Sequence, residues 1–207
     1  MDAVPMFPLG SVLFPHTPLL LRIFEPRYLM MVGRLLDEED PQFGVVLIER
    51  GHEAGGGDQR STVGTMARVM EVQVGGEDLH VVSVGGARFT VDRWLDDDPH
   101  PRAETTILPP LTWDDALTPL WNEAERIVRR VLARAAEFGP TRWDADIELS
   151  DEPLESIWQL AAIAPLGEFD QYTLLRATTA GGLLREIIDL TLEIEPLLTA
   201  PPVEPAD

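Results

Sequence analysis

Any catalysis by this chain would have to run on carboxylates, arginine and histidine. There is no cysteine, and every one of the 16 basic residues is an arginine. Thiolate nucleophiles, disulfides and thiolate metal sites are therefore absent. A Walker-type phosphate loop and a Ser-Lys peptidase dyad each need a lysine, so this sequence builds neither. The four histidines, His16, His52, His80 and His100, show no i, i+4 spacing for a helical zinc pair. Asp96-Asp97-Asp98 followed by His100 could hold a metal weakly, but a charge run flanked by prolines reads as a solvated acidic loop.

The remaining polar motifs have plain structural readings. Glu25 beside Arg27 could serve as a general base. The run Glu25-Pro26-Arg27-Tyr28 also reads as a helix start, with the carboxylate at the positive end of the dipole and Tyr28 turned inward. Gly55-Gly56-Gly57 lacks the spacing of a dinucleotide loop and reads as a flexible linker from His52 to Arg60. Gly85-Gly86 reads as a turn into a core strand in which Ala87, Phe89 and Val91 alternate with Arg88, Thr90 and Asp92. Arg88 is expected to pair with a nearby acid. No catalytic residue, metal ligand or cofactor site is assigned.

The aromatics are more informative. Trp121 and Trp158 fall on apolar helical stripes and read as core. Trp113, Phe138 and Trp143 fall on no stripe. They are the candidate protein-binding residues, since exposed aromatics anchor binding surfaces. The competing reading folds them over the core as loop residues.

The elements that position these residues change character near residue 110. Short strands separated by glycine, proline and acidic turns come first, and helices follow, which points to an α+β fold. Val4 to Phe14, broken by Pro5, Pro8 and Pro15, reads as irregular or as an edge. Thr17 to Phe24 is a clearer strand. Pro26 then opens a helix with Tyr28, Leu29, Val32, Leu35 and Leu36 on one face. Phe43 to Glu49 is a nearly continuous apolar run, the pattern of a buried strand. Met70–Val74 and Leu79–Val84 flank a hairpin loop at Gly75–Asp78. Strands at this spacing suggest a small barrel.

In the second half, Thr118-Pro119 reads as a cap and first turn. Leu120, Trp121, Ala124, Ile127, Val128, Val131, Leu132 and Ala135 follow at helical spacing. Gly139-Pro140 stops that helix. Leu154, Ile157, Trp158 and Ala161 form a second stripe, Phe169 to Leu175 a short helix, and Leu184, Ile187, Ile188, Thr191 and Ile194 a last one. The expected organisation is a β-rich unit over 1–110, a helical unit over 111–199 and a proline-rich disordered tail over 200–207. The two halves are expected to fold as one, because the helical stripes need a surface to cover them.

Charge narrows the function further. The formal net charge is −20, from 36 acidic and 16 basic residues. Such a chain repels nucleic acid and anionic lipid, and no basic patch counters it. Hydrophobic residues make up 44%, enough for a real core. No apolar run is long enough to span a membrane, and no basic stretch precedes the first apolar residues as in a signal peptide. A soluble cytoplasmic protein is expected.

Four stretches carry a family resemblance: FPLGSVLFPHTPLLLRIFEPRY (Phe7 to Tyr28), FGVVLIERG (Phe43 to Gly51), VGTMARV with VVSVGGARFTV (Val63 to Val69 and Val81 to Val91), and PLGEFDQYTLLRATTAGGLLREIIDL (Pro165 to Leu190). In this order and spacing the chain resembles the N-terminal, substrate-recognising domain of Lon proteases, in a free-standing copy. The resemblance implies a PUA-like β-rich pseudo-barrel followed by a helical subdomain. It also implies a role in selecting protein substrates, with ATP hydrolysis and peptide cleavage located in other Lon domains. It supplies no catalytic residue.

The expected function is therefore a non-catalytic module that binds unfolded polypeptide or a partner protein through an apolar surface within an acidic shell. Self-association as a homo-oligomer stays open. The alternative is an RNA-binding module by analogy with PUA-like folds, against which the charge argues.

Overall fold

The computed structural model describes residues 3–50 and 59–198. The expected linker at Gly55–Gly57 and the expected disordered tail at 200–207 lie outside the described residues. The chain forms two compact units, Met1–Pro110 and Leu111–Asp207, and the fold class is α+β.

The first unit holds β1 (Val4–Leu9), β2 (Pro18–Ile23), α1 (Pro26–Leu35), β3 (Gln42–Arg50), β4 (Gln59–Val74), β5 (Leu79–Leu95) and β6 (Arg102–Ile107). The strand order is β2-β5-β4-β3-β1-β6, with an additional β5–β6 pairing. That pairing closes β5, β4, β3, β1 and β6 into a barrel. The long β5 makes closure possible by changing neighbours. Its first part, Leu79 to Val84, pairs with β2, and its second part, Phe89 to Leu95, pairs with β6. Among the described residues the end strand β2 has β5 as its one neighbour.

Closure explains the sequence pattern. Met6, Val46, Phe89 and Ala103 form one core, while Phe7, Val45, Tyr28, Val32 and Leu35 belong to another beneath α1. Neighbouring residues of β1 and β3 thus point into different cores, so the run FGVVLI is apolar throughout instead of alternating. Gly64 leaves room for the first core: a Cβ there would sit 2.3 Å from the Val45 carbonyl oxygen and 2.6 Å from Phe89 Cζ.

Several expectations need correction in this unit. Val4–Leu9 is no edge, because β1 lies between β3 and β6. Pro5 lies before the β3 ladder, which starts at Met6, and Pro8 lies past the β6 ladder, which covers Val4 and Pro5, so each proline falls where one neighbouring ladder is absent. Gly85-Gly86 is no turn but lies inside β5. The chain from Leu13 to Thr17 crosses so close that a Cβ on Gly85 would stand 2.0 Å from the Phe14 carbonyl oxygen. The crossing is fixed by His16 N donating to Gly85 O (2.8 Å) and Gly85 N donating to Thr17 O (2.9 Å). Past that point the phase differs from the expected one: Arg88 and Phe89 are both buried and Ala87 is exposed. In α1 the buried face is Tyr28, Met31, Val32 and Leu35, with Leu36 exposed. Strand β4 absorbs Gln59 and Arg60, expected in the linker, and β6 was not expected at all.

The second unit holds a short 3₁₀ turn (Asp115–Leu117), α2 (Thr118–Ala136), α3 (Pro153–Ile163), α4 (Glu168–Leu175) and α5 (Ala180–Leu198). The α2 stripe buries Ala124, Ile127, Val128, Val131, Leu132 and Ala135 as its spacing predicts. Thr118 is no cap. The preceding turn is capped by Asp114, whose carboxylate accepts from Ala116 N at 2.9 Å, and that turn runs directly into α2. Arg130 and Arg134 both reach Glu195 of α5 at 2.8 Å, linking the outer faces of the two longest helices.

Candidate functional site

The second unit contains an open cavity of about 580 Å³ beside the N-terminal half of α2. That is within the usual range for ligand sites. Trp113 and Trp121 are among the residues that line it, and both are half-buried. Trp121 therefore departs from its expected place in the core, whereas Trp158 is buried as its stripe predicts. The Trp121 Nε1–H donates to Ser156 Oγ of α3 at 3.2 Å.

The opposite wall is the connection between α2 and α3, and it is tied down at several points. Arg129 Nη1 donates to the carbonyls of Ala145 (2.6 Å) and Ile147 (3.0 Å), while its Nε donates to Glu125 at 2.8 Å. Further along, Ser150 N donates to Gln159 Oε1 (2.7 Å) and Ser150 Oγ to Glu155 (2.9 Å). These bonds hold Glu148, Leu149 and Asp151 at the cavity. The carboxylates of Glu148 and Asp151 are exposed and form no ion pair with a described residue.

The three aromatics singled out in the sequence are not gathered together. Trp113 lines the cavity near the start of α2. Phe138 is 44% exposed just past the end of that helix, nine residues beyond Arg129, the last α2 residue at the cavity. Trp143 is half-buried outside the cavity, with the Arg142 guanidinium 5.7 Å from its ring centroid.

In the first unit, the end strand β2 and the residues after it carry exposed apolar side chains. Leu20 is 75% and Phe24 64% exposed. Beside them a smaller hollow of about 170 Å³ is lined by Phe7, Leu9, Leu21, Ile23, Phe24 and Tyr28, together with Arg22 and Glu25. Glu25 caps α1 only through its backbone, and its carboxylate pairs with Arg27 at 3.0 Å. Tyr28 packs inward, stacked on Phe7 with centroids 4.0 Å apart. This is the geometry of a helix start and not of a general base. Arg88 is buried, and burial holds its guanidinium below the ordinary value. Asp96, Asp97 and Asp98 are exposed as the expected solvated loop, but His100 beside them is buried. Its burial lowers the imidazole pKa, against a Pro101 carbonyl 3.1 Å from Nδ1. Among the described residues no three His, Asp or Glu side chains cluster as a metal site.

Comparison with known protein families places this geometry. The substrate-binding domain of ATP-dependent protease La (LON) matches residues 3–192. The chain belongs to the Lon substrate-binding domain family. Among solved structures it is similar to the Lon N-terminal domain protein of Xanthomonas campestris, at 26% identity and a TM-score of 0.65, covering 91% of this chain and 98% of that one. It shares its fold with the N-terminal domain of Mycobacterium avium complex Lon protease, at 16% identity and a TM-score of 0.67, covering 93% and 99%. Comparison with curated proteins gave no match. The Lon-family fold supplies both the barrel and the helical unit. No helix among the described residues is long and apolar enough to cross a membrane.

The sequence reading missed Leu20 and Phe24. Their signal was present: in TPLLLRIF every position but one from Leu19 to Phe24 is apolar, while an end strand covered on one face needs only alternate ones.

Proposed function

We propose that this Lon-family domain is a cytosolic polypeptide-recognition module without catalytic activity of its own. It holds unfolded chains or an exposed segment of a partner protein. The observation that carries the reading is the exposure of Leu20 and Phe24 on and beside the end strand β2. An end strand offers unpaired backbone donors and acceptors to an extended peptide, and neighbouring apolar side chains supply affinity. The family's substrate-binding character supports the same reading.

The net charge of −20 keeps such an apolar surface soluble and favours neutral or basic polypeptides. Affinity is weak, because a few apolar anchors must offset the ordering of a flexible ligand. The test is a titration of the full chain against a reduced, carboxymethylated protein that cannot fold. Saturable binding that persists at high salt is expected, since apolar burial is not screened. Binding restricted to one folded partner would make the domain an adaptor and not a general receptor for unfolded chains.

A further inference from the structure

We propose that the cavity of the helical unit takes an arginine side chain of the bound polypeptide. This rests on the polypeptide reading above and adds to it a second, charge-selective contact, in the other unit from β2.

The walls and the charge of the cavity both select a cation. Trp113 and Trp121 bring two indoles to it. The Trp121 N–H is already committed to Ser156, so that ring brings no free donor to the cavity. The ring quadrupole attracts a guanidinium, and indole does so best among the aromatics. Among the charged residues lining the cavity, Arg129 is bound to Glu125 and to two backbone carbonyls, which leaves it no role as a free anion receptor. Glu148 and Asp151 remain, exposed at the cavity and without an ion-pair partner among the described residues. With Glu125 and Arg129 offsetting each other, these two carboxylates set the local sign.

A ligand anion would meet uncompensated negative charge, and an apolar side chain would leave it unanswered. Arginine answers both features, because its planar guanidinium stacks on indole while donating to carboxylates. The volume of about 580 Å³ admits the side chain together with part of its backbone.

The experiment uses the full chain and a Gly/Ser peptide carrying one central arginine, against the same peptide with citrulline, which keeps the shape and removes the charge. Binding is read from the indole N–H signals of Trp113 and Trp121 by NMR. The arginine peptide is expected to shift both signals saturably. The citrulline peptide and the variant Glu148→Gln/Asp151→Asn are each expected to bind at least about tenfold more weakly, the combined scale of a cation–π contact and surface ion pairs. Both substituted residues are exposed, so folding is not at issue. Absent shifts, equal affinity for citrulline, or undiminished binding by the variant would overturn the proposal. If the unfolded test protein still binds in those cases, this inference alone falls. If the arginine peptide binds and the unfolded protein does not, the broader reading falls instead.

Discussion

The Trp121 indole of α2 donates to the Ser156 hydroxyl of α3 across 3.2 Å, and both residues line the same cavity. The bond fixes one aromatic wall of the candidate site through the packing of two helices. Trp121→Phe keeps a ring there but leaves the buried Ser156 hydroxyl without its donor. It should cost about 1 kcal/mol in urea unfolding. An unchanged midpoint would mean that the hydroxyl finds another partner at no cost.

Gly85 and the Phe14 carbonyl make a close backbone crossing in the barrel unit. A Cβ at 2.0 Å from a backbone oxygen cannot be relieved by a side-chain rotation. Gly85→Ala should therefore destabilise the protein by about 1–3 kcal/mol, the scale of overpacking. Gly86→Ala, whose Cβ would meet the Met66 carbonyl only at 3.4 Å, should cost clearly less. Equal effects in calorimetry would remove the close-approach explanation.

That crossing also shows where the sequence stopped being legible. Local pattern carried β3, because two cores cover its faces, and α2, because its stripe is long and regular. A glycine pair reads locally as a turn, whereas Gly85 is required by a segment about seventy residues earlier in the chain. Strand β6 was invisible because RAETTI buries little beyond Ala103, so barrel closure and not hydrophobicity places it. The cavity was invisible for a similar reason. Its outer wall depends on Arg129 reaching carbonyls 16 and 18 residues away. Trp113 was found because it fits no stripe, while Trp121 was hidden because it does fit one.

Phe138 was also singled out, but it lies at the far end of α2 from the cavity. Phe138→Ala should change stability by no more than about 0.5 kcal/mol, as for an exposed residue. It should leave arginine-peptide binding intact. Loss of that binding would extend the site along the helix.

His100 links stability to pH. Its pKa is lowered from 6.5 mainly by burial, with Arg34 and Arg102 acting in the same direction and the Pro101 carbonyl and Asp97 opposing. The fold thus favours the neutral ring. The stabilisation is fully present above pH 6.5 and is lost as pH falls through the lowered value. His100→Asn should flatten the decline of melting temperature as pH falls below 6.5, relative to the parent. Parallel curves for the two proteins would show that His100 does not contribute to the acid limb.

The central claim is that the exposed apolar residues at β2 receive unfolded polypeptide. Its most direct test is the affinity of Leu20→Ser/Phe24→Ser for a permanently unfolded protein, measured beside the parent by fluorescence anisotropy at low and high salt. Both side chains are exposed, so the melting temperature should stay close to that of the parent. Affinity should fall at least about tenfold at either salt concentration, as for the loss of central apolar anchors. Undiminished affinity in the double variant, or a parent that binds no unfolded chain at any salt concentration, would contradict the account.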